Sequence, residues 1–185
     1  MTDRYVDCGT LVRATGESIA DARIRIADGR VADVGTRESV GASGERVDHS
    51  GETVIPGLID AHLHLQGHRS MDPMDWVRDG TALGAARATA DLRSLLEAGF
   101  TSVRDVGSTT GLGLREAVAE GSIPGPRVFT SGRAISQTGG HGDVHSVPRE
   151  WVTGGEATIS TLADGADECR TEARKRVREG VDCLK

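Results

Sequence analysis

The chain has 185 residues, 37% of them hydrophobic and 3% aromatic, with a net charge of −6. This is enough apolar material for a folded core, yet no run of about 18 apolar residues is present to span a bilayer, and the acidic balance disfavours nucleic acid or an anionic membrane surface as a partner. Cys8, Cys169 and Cys183 are widely spaced and form no CxxC pair, which implies neither a disulfide framework nor a thiolate zinc site and makes a reducing, cytoplasmic setting the default.

The opening Met1-Thr2-Asp3-Arg4 lacks the apolar core of a signal peptide. Residues 1–50 read as β structure. Polar and apolar residues alternate through Ala22-Arg23-Ile24-Arg25-Ile26, Asp28-Gly29 supplies a turn, and Val31-Ala32-Asp33-Val34 follows, a hairpin signature. Residues 36–50 are polar and suit a loop and an edge strand. With few large side chains, residues 1–52 make a poor core by themselves.

From Thr53 the pattern changes to a second domain over 53–185. A strand rich in Val, Ile and Leu is expected over 53–64. A helix is expected over 80–98, where Leu83, Ala86, Ala90 and the leucines within 92–96 line one face and Gly99 ends it. Then come a strand over 100–106, a short helix over 111–120 ending at Gly121, and a strand over 126–131. A long Gly- and Ser-bearing loop over 132–160 is of a length that is usually functional. A helix over 163–179, with Ala166, Cys169, Ala173 and Val177 on one face, ends at Gly180, and residues 181–185 begin a fourth strand. The β-α-β-α-β-α-β order argues a parallel sheet with helical crossovers. A closed eight-stranded barrel takes roughly 250 residues, so four strands amount to half of one.

The chemistry concentrates at the end of the first of these strands. In a strand, residues i and i+2 share a face, so Asp60, His62 and His64 can point the same way, and imidazole is the commonest side-chain ligand of zinc-like metals. The bland reading of His62 and His64 is two polar residues in a sheet. Arg104 and Asp105 close the second strand on the same side, where they either orient ligands from behind or pair with each other. His141 sits in Thr138-Gly139-Gly140-His141-Gly142-Asp143, whose glycines let backbone N–H groups approach a ligand; its alternative is an exposed loop histidine. His68 and His145 share that logic less fully, His49 reads as surface, and Cys183 as a core cysteine. No GxSxG elbow, P-loop or GxGxxG is present.

These residues carry a resemblance. Val54-Ile55-Pro56-Gly57-Leu58-Ile59-Asp60-Ala61-His62-Leu63-His64 resembles the opening strand of the amidohydrolase superfamily barrel, and Asp28-Gly29-Arg30-Val31 resembles the small β-sandwich that precedes it. Gly125-Pro126-Arg127-Val128, Gly139-Gly140-His141-Gly142-Asp143 and Gly180-Val181-Asp182-Cys183-Leu184-Lys185 are similar to the imidazolonepropionase-like and prolidase-like members. The resemblance implies an α/β fold: the N-terminal part of a (β/α)8 TIM-like barrel, preceded by a small β-sandwich segment and truncated after barrel strand 4.

It further implies metal ligands at His62, His64 and Lys185, with Zn2+ or a similar divalent metal, two per complete site. In the complete site Lys185 would bridge the metals as a carbamate, which requires its amine to be neutral before CO2 adds; in this chain alone its bland reading is a solvated terminal lysine. His141 would lie over the site and touch the substrate. The implied reaction is hydrolysis of a carbon–nitrogen bond, in a dipeptide, N-acyl amino acid or cyclic amide, through a metal-bound hydroxide. Two further histidines and the catalytic aspartate are implied beyond residue 185, so no acid/base residue is expected within the chain and the chain alone is expected to be inactive. The partner implied is a small-molecule substrate, with room for a homo-oligomeric complete enzyme. A second reading is a non-catalytic fragment that needs a partner or the missing half, and a third is a binding module that uses the HxH pair alone.

Overall fold

The computed structural model describes residues 3–154 and 158–185. Met1-Thr2, and with them the start of the segment read for a signal peptide, lie outside the described residues, as do residues 155–157 of the expected long loop. The chain divides into two compact units, Met1–Pro56 and Gly57–Lys185.

The first unit is one four-stranded sheet in the order β3-β2-β1-β4, built from β1 (Arg4–Val12), β2 (Ser18–Ala27), β3 (Arg30–Thr36) and β4 (Glu45–Val54). The expected hairpin is β2–β3. Ala27 pairs with Arg30, and both residues between them have positive φ, 51° at Asp28 and 71° at Gly29. That is the backbone a two-residue turn needs to follow the strands' twist. β1 pairs antiparallel with β2 and parallel with β4, which closes the sheet as its edge. Cys8, Leu11, Ala22 and Ile24 form the buried core. Beside it Arg23 grips Asp7 through Nε (2.5 Å) and Nη2 (2.9 Å) and gives Nη1 to the Val40 carbonyl at 3.0 Å. The described residues of this unit form this one sheet, in the segment where an incomplete small β-sandwich was expected.

The second unit holds three parallel strands in sequential order, β5 (Leu58–Leu63), β6 (Phe100–Asp105) and β7 (Arg127–Thr130), joined by α1 (Pro73–Glu97) and α2 (Gly111–Ala119). Leu65, Ala88, Leu92, Val103, Leu114 and Val128 are the core between sheet and helices. α1 starts seven residues before its expected position. Asp72 caps it by accepting from the Met74 N–H at 2.9 Å, and Pro73 follows at a position where its missing N–H costs nothing. The expected start, Gly80, is instead a break inside it, with φ 66° and ψ 165°.

Three expectations are corrected. The strand expected over 53–64 is two strands: Thr53 and Val54 end β4 of the first unit, and Ile55-Pro56-Gly57 interrupts the ladder, as a proline without an N–H does. The loop expected over 132–160 contains a short parallel pair, β8 (Ala134–Ser136) with β9 (Ser160–Leu162), and a turn of helix α3 (Arg149–Gly154). Residues 181–185 form no strand; their bonds to the preceding strands include Asp182 N–H to the Thr130 carbonyl and Ile135 N–H to the Lys185 carbonyl, both at 2.8 Å. Asp182 also turns its carboxylate onto the Thr130 N–H at 2.9 Å, standing where a strand partner's carbonyl would.

The last helix, α4 (Gly165–Glu179), is capped by Gly180 in the left-handed conformation, but its buried face is not the expected one. Glu172 and Arg176 are buried, whereas Cys169 is exposed and Val177 is 67% exposed. Without a fourth strand beneath it, the Ala166–Cys169–Ala173–Val177 stripe has no apolar surface to cover. Cys183 is half-buried and is no core cysteine. No helix among the described residues is long and apolar enough to cross a membrane.

Candidate metal centre

His62 is the penultimate residue of β5 and His64 the first after it, so both stand at the C-terminal end of a parallel strand, the end at which barrel folds build their sites. Their rings meet edge to face, with centroids 5.7 Å apart and planes at 69°. His64 Nδ1 lies 2.8 Å from the Gly107 carbonyl. A carbonyl can only accept, so Nδ1 carries the proton and Nε2 is left with its lone pair. Gly107 has φ 150°, and a methyl built on it would lie 3.1 Å from His64 Nδ1 and 3.2 Å from Ile159 Cδ1. The absence of a side chain there is what lets the imidazole lie against the backbone.

The donor set fits a divalent metal. Two exposed imidazoles sit beside each other, and one ring nitrogen of His64 is held by a main-chain acceptor, as a ring nitrogen of metal-ligating histidines usually is. Among the described residues, no three His, Cys, Asp or Glu side chains come together as a complete metal cluster. Asp60 is not aimed with the histidines: its Oδ1 accepts from the His62 N–H at 3.0 Å.

Arg104 and Asp105 do not pair with each other. Arg104 Nε donates to the Ala61 carbonyl at 2.8 Å, tying β6 to the residue before His62. Asp105, fully buried, accepts from Leu65 N–H (3.2 Å), Ser108 Oγ (2.5 Å) and Thr130 Oγ1 (2.7 Å).

Lys185 is exposed, and its main-chain oxygen is held by Ile135. Ile135 follows Ala134, whose N–H donates to the Ile159 carbonyl at 3.0 Å. His141 is exposed on the loop between β8 and β9. The glycines around it do not offer N–H groups to a ligand. Gly139 donates to Asp143 Oδ2, Gly140 to the Gln137 carbonyl and Gly142 to Ser136 Oγ, so the loop spends these donors on its own shape. His145 is exposed, and His49 pairs with Glu52 in the first unit.

His68 stacks on Trp76 with centroids 4.4 Å apart and planes at 12°, and burial pushes its pKa below the ordinary histidine value. Both line a cavity of about 270 Å³ with Gln66, Thr109 and Arg133, which stand three or four residues beyond the ends of β5, β6 and β7. Gln66 and Thr109 are locked together, with the Thr109 N–H on Gln66 Oε1 at 2.7 Å and Gln66 Nε2 on Thr109 Oγ1 at 2.8 Å. Gly107 and Gln66 were not singled out in the sequence. The one available signal was a glycine directly after a strand, at the level where the histidines leave theirs.

The sequence profile of the amidohydrolase family matches residues 53–185. The chain belongs to the amidohydrolase family. Ochratoxinase of Aspergillus niger is 31% identical over 193 residues, covering 96% of this chain and 40% of that protein. An imidazolonepropionase of Streptomyces avermitilis is 30% identical over 180 residues, covering 84% and 41%. Among solved structures, the crystal structure of A. niger ochratoxinase matches with a TM-score of 0.87 at 29% identity, over 98% of this chain and 46% of that one. A prolidase complexed with N-methylphosphonate-L-proline matches with a TM-score of 0.84 at 30% identity, over 100% and 46%. The chain thus spans less than half the length of these relatives.

Proposed function

We propose that residues 57–185 are the metal-binding opening of a (β/α)8 amidohydrolase barrel that hydrolyses a carbon–nitrogen bond in a dipeptide, N-acyl amino acid or cyclic amide. His62 and His64 are its first metal ligands, Lys185 the position of the bridging ligand, and His141 the residue on the substrate side. The observation that carries this reading is the His64 Nδ1–Gly107 bond, which leaves Nε2 as a donor beside the His62 ring at a strand's C-terminal end. A divalent metal, when bound, supplies Lewis acidity and lowers the pKa of the water it holds.

The chain's own residues do the rest. Arg104 fixes the backbone before His62 through the Ala61 carbonyl, and Gly107 fixes the tautomer of His64. The loop between β8 and β9, stapled by Thr138 to Asp164 (2.9 Å and 2.6 Å), holds His141 at one place on that loop. The complete site needs acid/base and metal-binding residues that the relatives' remaining length would supply, and the substrate is a small molecule. The test is hydrolysis of a panel of dipeptides, N-acyl amino acids and cyclic amides, with zinc, by the protein expressed from its whole reading frame. Turnover that His64→Ala abolishes is expected; turnover that His64→Ala leaves unchanged overturns the assignment.

A further inference from the structure

Asp105 is fully buried, a placement a carboxylate tolerates only when its oxygens are hydrogen-bonded. Two of its three donors are themselves oriented. Ser108 Oγ accepts from the Gly111 N–H at 2.8 Å, so its proton goes to Asp105; Thr130 Oγ1 accepts from the Gly132 N–H at 3.0 Å, so its proton does the same. The third donor is the N–H of Leu65, the residue after His64. The Leu65 carbonyl is taken by Thr110 Oγ1, and the Leu63 carbonyl by the Val106 N–H at 3.0 Å. Both neighbours of His64 are therefore pinned to the turn over 105–110, and the same turn carries Gly107, whose carbonyl meets His64 Nδ1. Gly111 leaves no room for error here: a side chain on it would run into Asp105, Thr130 and Ser108.

From this we infer that Asp105 is a positioning residue for His64. By holding Leu65 on one oxygen and the Ser108–Thr130 hydroxyls on the other, it sets the register between the chain after β5 and the turn after β6 and so brings the Gly107 carbonyl to Nδ1. The consequence is chemical. The side chain of free histidine favours the proton on Nε2, whereas this clamp keeps it on Nδ1 and leaves the Nε2 lone pair as the metal donor. The inference rests on the proposed role of His64, but its first test needs no metal.

The test is nitrogen NMR of the 185-residue chain labelled at histidine, free of metal, with Asp105→Asn compared to the parent. In the parent, His64 is expected as the Nδ1–H form. In Asp105→Asn its shifts should move to the mixture seen for free histidine, while His62, which lacks this clamp, keeps its shifts. A parent His64 already in the Nε2–H form, or an Asp105→Asn chain with His64 unchanged, overturns the inference. Should Asp105→Asn fail to fold, Thr130→Val, which removes one of the two hydroxyls and leaves Leu65 alone, is read the same way. Thr130→Ser, which keeps the hydroxyl, should restore the parent spectrum. Zinc titration gives the second arm. A loss of about 10–100-fold in affinity is the usual effect of removing support behind a metal-binding histidine and is expected for Asp105→Asn; equal affinity would contradict it. If the parent binds no zinc but shows the Nδ1–H form, the clamp stands, and the metal assignment is decided by zinc titration of the protein expressed from its whole reading frame.

Discussion

Gly107→Ala probes the backing of the candidate site with one methyl group. Two costs can be worked from the structure. Position 107 has φ 150°, outside the range side chains favour, and such a conformation costs about 1–3 kcal/mol. The added Cβ would stand 3.1 Å from His64 Nδ1 and 3.2 Å from both His64 Cε1 and Ile159 Cδ1, an overpacking worth about 1–3 kcal/mol. Together the loss is on the order of 2–6 kcal/mol, a large share of what holds a domain together. Gly121→Ala is the control. Its φ of 81° is as unusual, but nothing stands within 4 Å of the new methyl, so it should lose only the backbone cost of about 1–2 kcal/mol. Urea unfolding followed by circular dichroism ranks the two, and zinc titration reports whether His64 has been displaced. Equal unfolding midpoints for the two variants, with zinc affinity as in the parent, would refute the claim that Gly107 is shaped around the imidazole.

Gly113→Ala, on the exposed side of α2 with open space around it, should stabilise the chain by about 0.5–1 kcal/mol, read as a higher urea midpoint. Asp7→Asn leaves Arg23 buried without its counter-charge and should cost about 3 kcal/mol in the same assay; an unchanged midpoint would mean that the pair holds nothing. The Arg23 hydrogen bond keeps the Asp7 carboxyl below its ordinary value, so its contribution is complete above about pH 4 and is lost as pH falls through the lowered value; acid unfolding of Asp7→Asn should lack that step. His68 runs the other way in cause and the same way in slope. Burial lowers its pKa, so the folded chain binds fewer protons than the unfolded one and stability falls as pH drops from about 6.5 towards the lowered value, a dependence that His68→Gln should remove.

Local chemistry was legible in the sequence wherever neighbouring residues decide it. Asp28-Gly29 is a turn because both residues tolerate positive φ, and β2–β3 formed around it. His62 and His64 meet because two residues is the period of a strand. What was not legible depends on contacts distant in sequence. The acceptor that orients His64 is 43 residues away, and the donors on Asp105 come from positions 65, 108 and 130. The face of α4 was misjudged because an apolar stripe is buried only if something apolar lies opposite it; here Glu172 and Arg176 turn inward, and Arg176 finds Glu179 at 3.0 Å. The loop around His141 shows a local miss: its glycines suggested open N–H groups, and the side chains of Ser136 and Asp143, six and four residues away, claim two of them.

Zinc-edge X-ray absorption on the zinc-loaded chain addresses the central claim, that His62 and His64 together begin a metal centre. Two imidazole nitrogens at about 2.0–2.1 Å are expected in the parent, one in His62→Ala or His64→Ala, and none in the double variant. A spectrum of the double variant that still shows the parent's imidazole scattering would contradict it.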